Sequence, residues 1–149
     1  MNYWLMKSEP DSFSIDDLAC NSPSPWDGVR NYQARNFIRN MQAGDSFLFY
    51  HSSCKPPGIA GIGTIVSNPY PDRAALDPSS PYHDLKASAE NLPWLAVDVA
   101  LSRKFHKLLS LAEIRLMDGL AELPLLHKGN RLSVMPITEK QWAILTSVD

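Results

Sequence analysis

An aromatic ring and two sets of hydrogen-bond donors stand close together in the segment WDGVRNYQARN. The residues concerned are Trp26, Arg30 and Asn31. An indole offers a flat stacking surface, while a guanidinium and a carboxamide offer donors in fixed geometry. Such a set suits a planar heteroaromatic ligand, notably a base taken out of its stack. We therefore interpret the segment as a binding site for a ligand of that kind.

The same segment has a plainer interpretation as the entry to a helix. Asp27 would favour the positive end of the helix, Gly28 would permit a tight turn, and Trp26 would pack as a staple. That interpretation accounts for three residues, but it requires neither an arginine on the core side nor an adjacent amide.

A helix predicted over residues 31–41 positions the arginines of this segment. Its apolar residues recur at three- and four-residue spacing, which predicts a stripe that faces the core. They are Ala34, Phe37, Ile38 and Met41. Arg35 and Arg39 fall on the opposite, solvent side. Arg30 points with the apolar stripe, so we expect it to have a partner and to lie under or beside a polar cavity.

A second polar group, KSEP, ends the first predicted strand, because Pro10 prevents that strand from continuing. Lys7, Ser8 and Glu9 then stand at the mouth of the strand. When this segment is judged alone, a solvated turn explains it equally well.

A third group, FYHSSCK, places His51 beside Ser52, Ser53 and Cys54, a set that superficially offers a base and three nucleophiles. A catalytic triad, however, needs side chains that converge in space together with an orienting acid. At strand spacing His51 and Ser52 point to opposite faces. We expect a histidine hydrogen-bonded at the end of a strand rather than a catalytic base.

Five short stretches have the apolar patterns of strands. They are residues 3–7, 47–52, 59–66, 95–101 and 132–137. Phe47, Phe49 and His51 share one face of the second stretch, and the residues between them share the other, so both faces are predicted to be covered. The segment GIAGIG lacks both the Lys-Ser/Thr ending of a phosphate loop and the spacing of a dinucleotide fingerprint, which favours a strand. Close approach of another backbone, or a bend at a barrel corner, would account for its glycines.

Capping boxes mark three further helix starts, at Ser14 with Asp17, Ser110 with Glu113, and Thr138 with Gln141. The last of these opens a helix that should run to about residue 146. Residues 67–93 hold five prolines and no sustained period. We interpret them as a long loop across one domain, since a linker would leave two pieces too small to bury a core comfortably.

The totals restrict the class of protein. A chain of 149 residues with 44% hydrophobic and 20% charged residues suits one globular domain. A net charge of -2 argues against a protein that binds nucleic acid through an overall positive charge. An anionic partner must therefore be bound by a local group of cationic residues. Cys20 and Cys54 fit neither a disulfide framework nor a zinc site, and we expect a reduced, cytoplasmic setting without a metal or cofactor. No secretory signal or membrane span is predicted.

Several long motifs, in the same order along almost the whole chain, resemble the EVE domain family. They are YWLMKSEP at 3–10, WDGVRNYQARNF at 26–37, GD at 44–45, FYHS at 49–52, PPGIAGIG at 56–63, YPD at 70–72 and RLSVMPIT at 131–138. The resemblance implies a single α+β domain over residues 1–149 with a PUA-like fold: a bent, mixed β-barrel of about five to six strands with helices packed outside.

The resemblance also implies a function, because families of this kind bind RNA or DNA and several seat a modified or flipped base in a pocket. Trp26 would stack on the base, while Arg30, Asn31, Ser8 and Glu9 would read its edge or brace one another. Lys7 and Arg35 would meet phosphate. His51, Ser52 and Arg131 would complete the wall.

Three classes of function stay open at this point. The first is a non-catalytic reader of a modified nucleobase in RNA or DNA. The second is a sensor for a free modified nucleoside, which the weak net charge favours. The third is a hydrolase or nucleotide-modifying enzyme that uses Lys7, Glu9 and His51.

Overall fold

A curled mixed sheet organises the chain, which a computed structural model describes over all 149 residues. The strands are β1 (Tyr3–Ser8), β2 (Ser24–Trp26), β3 (Ser46–His51), β4 (Gly58–Ile65), β5 (Tyr70–Pro71), β6 (Leu95–Ser110) and β7 (Val134–Ile137). The helices are α1 (Ile15–Cys20), α2 (Tyr32–Arg39), α3 (Leu111–Arg115) and α4 (Glu139–Thr146), with short 3-10 turns at Arg73–Leu76 and Pro124–Leu126. All five predicted strands and all four predicted helix starts are therefore present.

The sheet has the strand order β2-β6-β4-β3-β1-β7, and β5 pairs with β6 outside this path. β1 runs parallel to β3 and antiparallel to β7, and the remaining pairs are antiparallel. Two strands were not predicted, since β2 has three residues, β5 has two, and each includes a proline. β6 also continues to Ser110, well beyond its predicted end, because its polar second half pairs with β4.

Alternation along β1 and β3 divides the apolar residues between two cores on opposite faces of the sheet. Phe47 and Phe49 belong to one core, and Leu48 and Tyr50 belong to the other, as predicted. Helix α2 covers the first core with Ala34 and Ile38, which are buried, and Met41 follows them. Phe37 is only partly buried against this core, so the predicted stripe is correct in phase but less deep at that position.

The glycines of β4 admit the close backbone approach that their spacing predicted. A Cβ atom on Gly61 would lie 2.4 Å from the carbonyl oxygen of Arg103 on β6, and one on Gly63 would lie 2.3 Å from the ring of Phe47. Both distances are far below van der Waals contact. Glycine at these two positions lets β4 lie directly against β6 and the ring of Phe47.

Candidate nucleobase-binding cavity

A cavity of about 460 Å³ opens at the end of β1 and β3, next to the turn that follows β2. The loop before β7 and the long segment 67–93 supply the rest of its wall. Seven of the ten predicted site residues line it: Lys7, Ser8, Glu9, Trp26, Arg30, Ser52 and Arg131. The other three, Asn31, Arg35 and His51, do not.

The apolar floor of the cavity is formed by Phe13 and Trp26. Trp26 is only 6% exposed. Its indole meets the rings of Phe13, Phe47 and Phe49 in edge contacts, with centroids 6.2, 5.7 and 5.2 Å away. Trp26 is thus a core residue that also lines the cavity, so its ring serves the fold as well as the site.

Arg30 is held by protein groups on the far side of the cavity. Its Nη1 donates to Asp72 Oδ2 at 2.9 Å and to the carbonyl of Val29 at 3.0 Å. Its Nε and Nη2 both donate to the carbonyl of Tyr82, at 3.1 and 2.8 Å. The guanidinium also lies 5.5 Å from the centre of the Trp94 ring. The predicted core-side partner is therefore present, and Arg30 uses four of its five N–H groups to brace the wall.

Gly28 lies beneath the ring of Tyr82, the residue whose carbonyl accepts from Arg30. It has φ of +80°, and a Cβ atom there would lie 2.5 Å from the ring of Tyr82. Its amide donates to Asp72 Oδ2 at 2.9 Å, so the same carboxylate holds both Gly28 and Arg30. The side chain of Asp72 is 2% exposed and also accepts from the amide of Ala74. We call Gly28, Arg30, Asp72 and Tyr82 the braced wall.

Asn31 and Arg35 serve the helix beside the cavity. Asn31 is the N-cap of α2, and its Oδ1 accepts from the amide of Ala34 at 2.9 Å. Arg35 donates from Nη1 to the carbonyl of Pro93 and packs over the ring of Tyr32. Neither residue lines the cavity. The side-chain carboxamide of Asn31 is used to cap the helix, as is usual for asparagine at this position.

His51 faces a different surface from the cavity. Its Nε2 accepts from the amide of Ile15 at 3.1 Å, which joins the end of β3 to the start of α1. Burial lowers the pKa of His51, while Asp16 opposes this shift, so the neutral acceptor form is favoured. The histidine is hydrogen-bonded at a strand end, as the spacing predicted, and its assignment to the cavity wall is wrong.

Apart from the exposed Glu9 at the rim, three charged residues line the cavity without a side-chain hydrogen bond or ion pair to another residue: Lys7, Asp27 and Arg131. We call them the unpaired wall. Lys7 is half-buried, and this burial lowers its pKa. Burial first, and then repulsion by Asp72, raises the pKa of Asp27, while Arg30 opposes this shift. The Lys7 ammonium lies 5.7 Å from the centre of the Tyr50 ring, but none of the three charges has an ion-pair partner in the folded protein.

The remaining predicted residues have smaller parts in the cavity. Ser8 donates from Oγ to the carbonyl of Phe13 at 2.7 Å, and the Ser52 amide donates to the carbonyl of Ser8 at 3.0 Å. Glu9 is exposed at the rim, and its backbone carbonyl accepts from the amides of Ser12 and Phe13. Ser8 and Ser52 thus shape the mouth of the cavity.

Two residues that matter here were missed as site residues. Asp27 was given only a role at the helix end, although it stands in the same motif as Trp26 and Arg30. Tyr82 lies in the segment 67–93, where no periodicity indicates which side chain returns to the site. A glycine with φ of +80° beneath its ring is the signal of that close approach, and it is visible only in three dimensions.

No three His, Cys, Asp or Glu side chains come together in an arrangement that could hold a metal ion. None of the helices is both long and apolar enough to span a membrane.

The comparisons with known proteins agree with this architecture. The family model "EVE domain" matches residues 2–148. Human thymocyte nuclear protein 1 is 38% identical over 99% of this chain and 74% of its own length. A crystal structure of a Pseudomonas putida protein is 57% identical, covers 98% of both chains and has a TM-score of 0.96.

A further solved structure is that of human THYN1 protein in complex with 5-methylcytosine-containing DNA, with a TM-score of 0.91 and 38% identity over 99% of this chain and 97% of that one. The curled mixed sheet with outer helices is the PUA-like fold that the sequence motifs implied. The chain therefore belongs to the EVE domain family.

Proposed function

We propose that this protein is a non-catalytic binding module that takes a modified or flipped nucleobase of DNA or RNA into the cavity described above. The observation that carries the proposal is the unpaired wall. Lys7, Asp27 and Arg131 line one cavity, and none of their side chains is hydrogen-bonded or ion-paired to another residue. A ligand with both hydrogen-bonding edges and a negative charge would supply what these side chains lack.

The shape and size of the cavity support a base as that ligand. A volume of about 460 Å³ lies within the range of about 300–1,000 Å³ that is typical of small-molecule pockets. Phe13 and Trp26 give it an apolar floor against which a flat ring can rest, since bases bind to aromatic surfaces. The stacking role of Trp26 is thereby limited to the part of its ring that reaches the cavity.

The charge distribution supports a polymer. The chain as a whole carries a net charge of -2, so attraction to phosphate must come from local cations. Lys7 and Arg131 both lie at the cavity, and a base entering between them would bring its own phosphates close. The human relative in complex with 5-methylcytosine-containing DNA supports the same kind of ligand.

The geometry does not favour the enzyme alternative. Lys7 and Glu9 line the cavity, but His51 lies outside it and accepts from a backbone amide. The three residues considered for catalysis do not converge, as a base and a nucleophile must.

Fluorescence anisotropy with labelled duplexes that differ only in one 5-methylcytosine tests the proposal. We expect saturable binding with a preference for the modified duplex, and a parallel series of RNA probes separates the two polymers. Arg39→Ala, on the exposed side of α2, is the matched control for Arg131→Ala. Only the Arg131 variant should weaken binding. Saturable binding of a free modified nucleoside, with no binding of any oligonucleotide, would contradict the proposal and favour the sensor.

A further inference from the structure

Two neighbouring carboxylates at the cavity are used in opposite ways. Asp72 is buried and accepts from the amides of Gly28 and Ala74 and from Nη1 of Arg30, all within 3.0 Å. Asp27 lines the cavity, is half-buried, and accepts no hydrogen bond from any other residue. Arg30 is near Asp27 in the sequence, but its guanidinium is paired with Asp72. Asp27 therefore lines the cavity with a carboxylate that is not paired with any other residue.

An ionised carboxylate can only accept hydrogen bonds, so Asp27 calls for a ligand with an N–H or O–H donor. Burial first, and then repulsion by Asp72, raises the pKa of Asp27, and its own backbone amide and the charge of Arg30 offset this only in part. Among the bases, an exocyclic amino group is the donor that aspartate accepts from, as it does from the amino group of cytosine. A carbonyl at the same position would set two acceptors against each other.

On the basis of the proposed function, we infer that Asp27 selects a base whose edge carries an exocyclic amino group and rejects a base with a carbonyl at that position. Arg131, which lines the same cavity without a hydrogen bond or ion pair to another residue, provides donors for the ring nitrogen or carbonyl beside the amino group. The cavity then offers an acceptor and a donor, which complements an amino-bearing edge. Asp27 is thus a specificity-determining residue.

The pair 5-methylcytosine and thymine tests this inference, because the two bases share their ring and methyl group and differ at the amino or carbonyl edge. Each base is placed opposite an abasic site in the same duplex, so that neither must break a base pair. We expect the wild-type protein to bind the 5-methylcytosine duplex at least about ten-fold more tightly than the thymine duplex. Asp27→Asn should lose or reverse this preference, because a carboxamide can donate to the thymine carbonyl.

Asp118→Asn, which changes an exposed aspartate outside the cavity, is the matched control and should keep the wild-type preference. Urea denaturation of both variants establishes that they fold. Equal and tight binding of both duplexes by the wild type would overturn the inference while leaving the proposed function standing. Retention of the preference by Asp27→Asn would also overturn it. A failure of all proteins to bind any duplex would contradict the proposed function as well.

Discussion

The two walls of the cavity differ in how completely their polar groups are satisfied. In the braced wall, Asp72 and Arg30 are joined at 2.9 Å, and the arginine also donates to the carbonyls of Val29 and Tyr82. In the unpaired wall, Lys7, Asp27 and Arg131 contact no opposite charge. The same residue types, arginine and aspartate, occur in both walls, so residue type alone does not distinguish a brace from a binding group.

The difference separates stability from ligand binding. Breaking a buried pair leaves an uncompensated charge and destabilises the protein strongly. A half-buried group with no partner contributes nothing of that kind, and its desolvation is offset only when a ligand arrives. We therefore expect substitutions in the braced wall to act mainly on folding and substitutions in the unpaired wall to act mainly on binding.

The largest effect on stability should come from Trp26, which is buried and lines the cavity. Trp26→Ala should lower the free energy of unfolding by about 3–5 kcal/mol, because it removes a ring that packs against three others in the core. Urea denaturation measures this loss. Trp142→Ala is the control, since Trp142 is partly exposed and stacks on Tyr3 alone. Equal losses in the two variants would mean that Trp26 is not a core residue.

Asp72→Ala should come next and should break the braced wall. We expect a loss of about 3 kcal/mol, at the lower end for a buried pair because the side chain of Arg30 keeps 23% exposure. Thermal and urea denaturation measure it, with Asp118→Ala as an exposed control. A loss below about 0.5 kcal/mol, the usual range for surface substitutions, would show that the two walls do not differ in stability.

Lys7→Met and Arg131→Met should have the opposite profile. Each should weaken binding of every duplex to a similar extent, by about ten-fold, and lower the salt dependence of the affinity by about one counterion. Stability should stay within about 0.5 kcal/mol of wild type, since no ion pair is broken. Titrations at several salt concentrations test this, with Lys140→Met on α4 as control. An unchanged salt slope would remove these cations from the phosphate contact.

The smallest effect should be a gain in stability. The raised pKa of Asp27 means that the native state binds its proton more tightly than the unfolded chain does, so ionisation destabilises the native state at neutral pH. Asp27→Asn should therefore raise stability at neutral pH, by less than about 1 kcal/mol because water still screens a half-buried group. The gain should shrink as the pH falls through the raised pKa towards the ordinary value of 3.8.

Urea denaturation of wild type and Asp27→Asn across this pH range checks both statements. A loss of stability at neutral pH would mean that Asp27 has a stabilising partner and does not belong to the unpaired wall.

The sequence predicted the parts of the fold that depend on local pattern. Phe47 and Phe49 alternate with Leu48 and Tyr50, and this period of two placed them correctly on the two faces of β3. The second half of β6 could not be predicted in this way. Its polar residues form a strand because β4 pairs with them, and such pairing depends on a segment about 40 to 50 residues away in sequence.

The same distinction applies to the candidate site. The motif around Trp26 indicated the location of the cavity, and the helix phase indicated that Arg30 has a partner. Which of its neighbours stays free could not be predicted, because it is Asp72, in a segment without periodicity, that takes the guanidinium of Arg30 and leaves Asp27 unpaired. Asn31 was predicted to contact the ligand but caps α2 instead. The sequence could not distinguish these roles, because an asparagine that caps a helix and one that binds a ligand have the same sequence signature.

β1 lies between β3 and the edge strand β7, so the cavity cannot form until the first and last strands have met. Trp4 pairs with Pro136, and the Lys7 amide donates to the carbonyl of Ser133 at 2.8 Å, contacts between segments at opposite ends of the sequence. Closing so long a loop loses chain entropy, and such nonlocal pairing slows folding. Lys7 and Arg131 therefore come together late, and a partly folded chain has no complete binding site. A bound base should stabilise only the fully folded state and protect the amides of β1 and β7 together against hydrogen exchange.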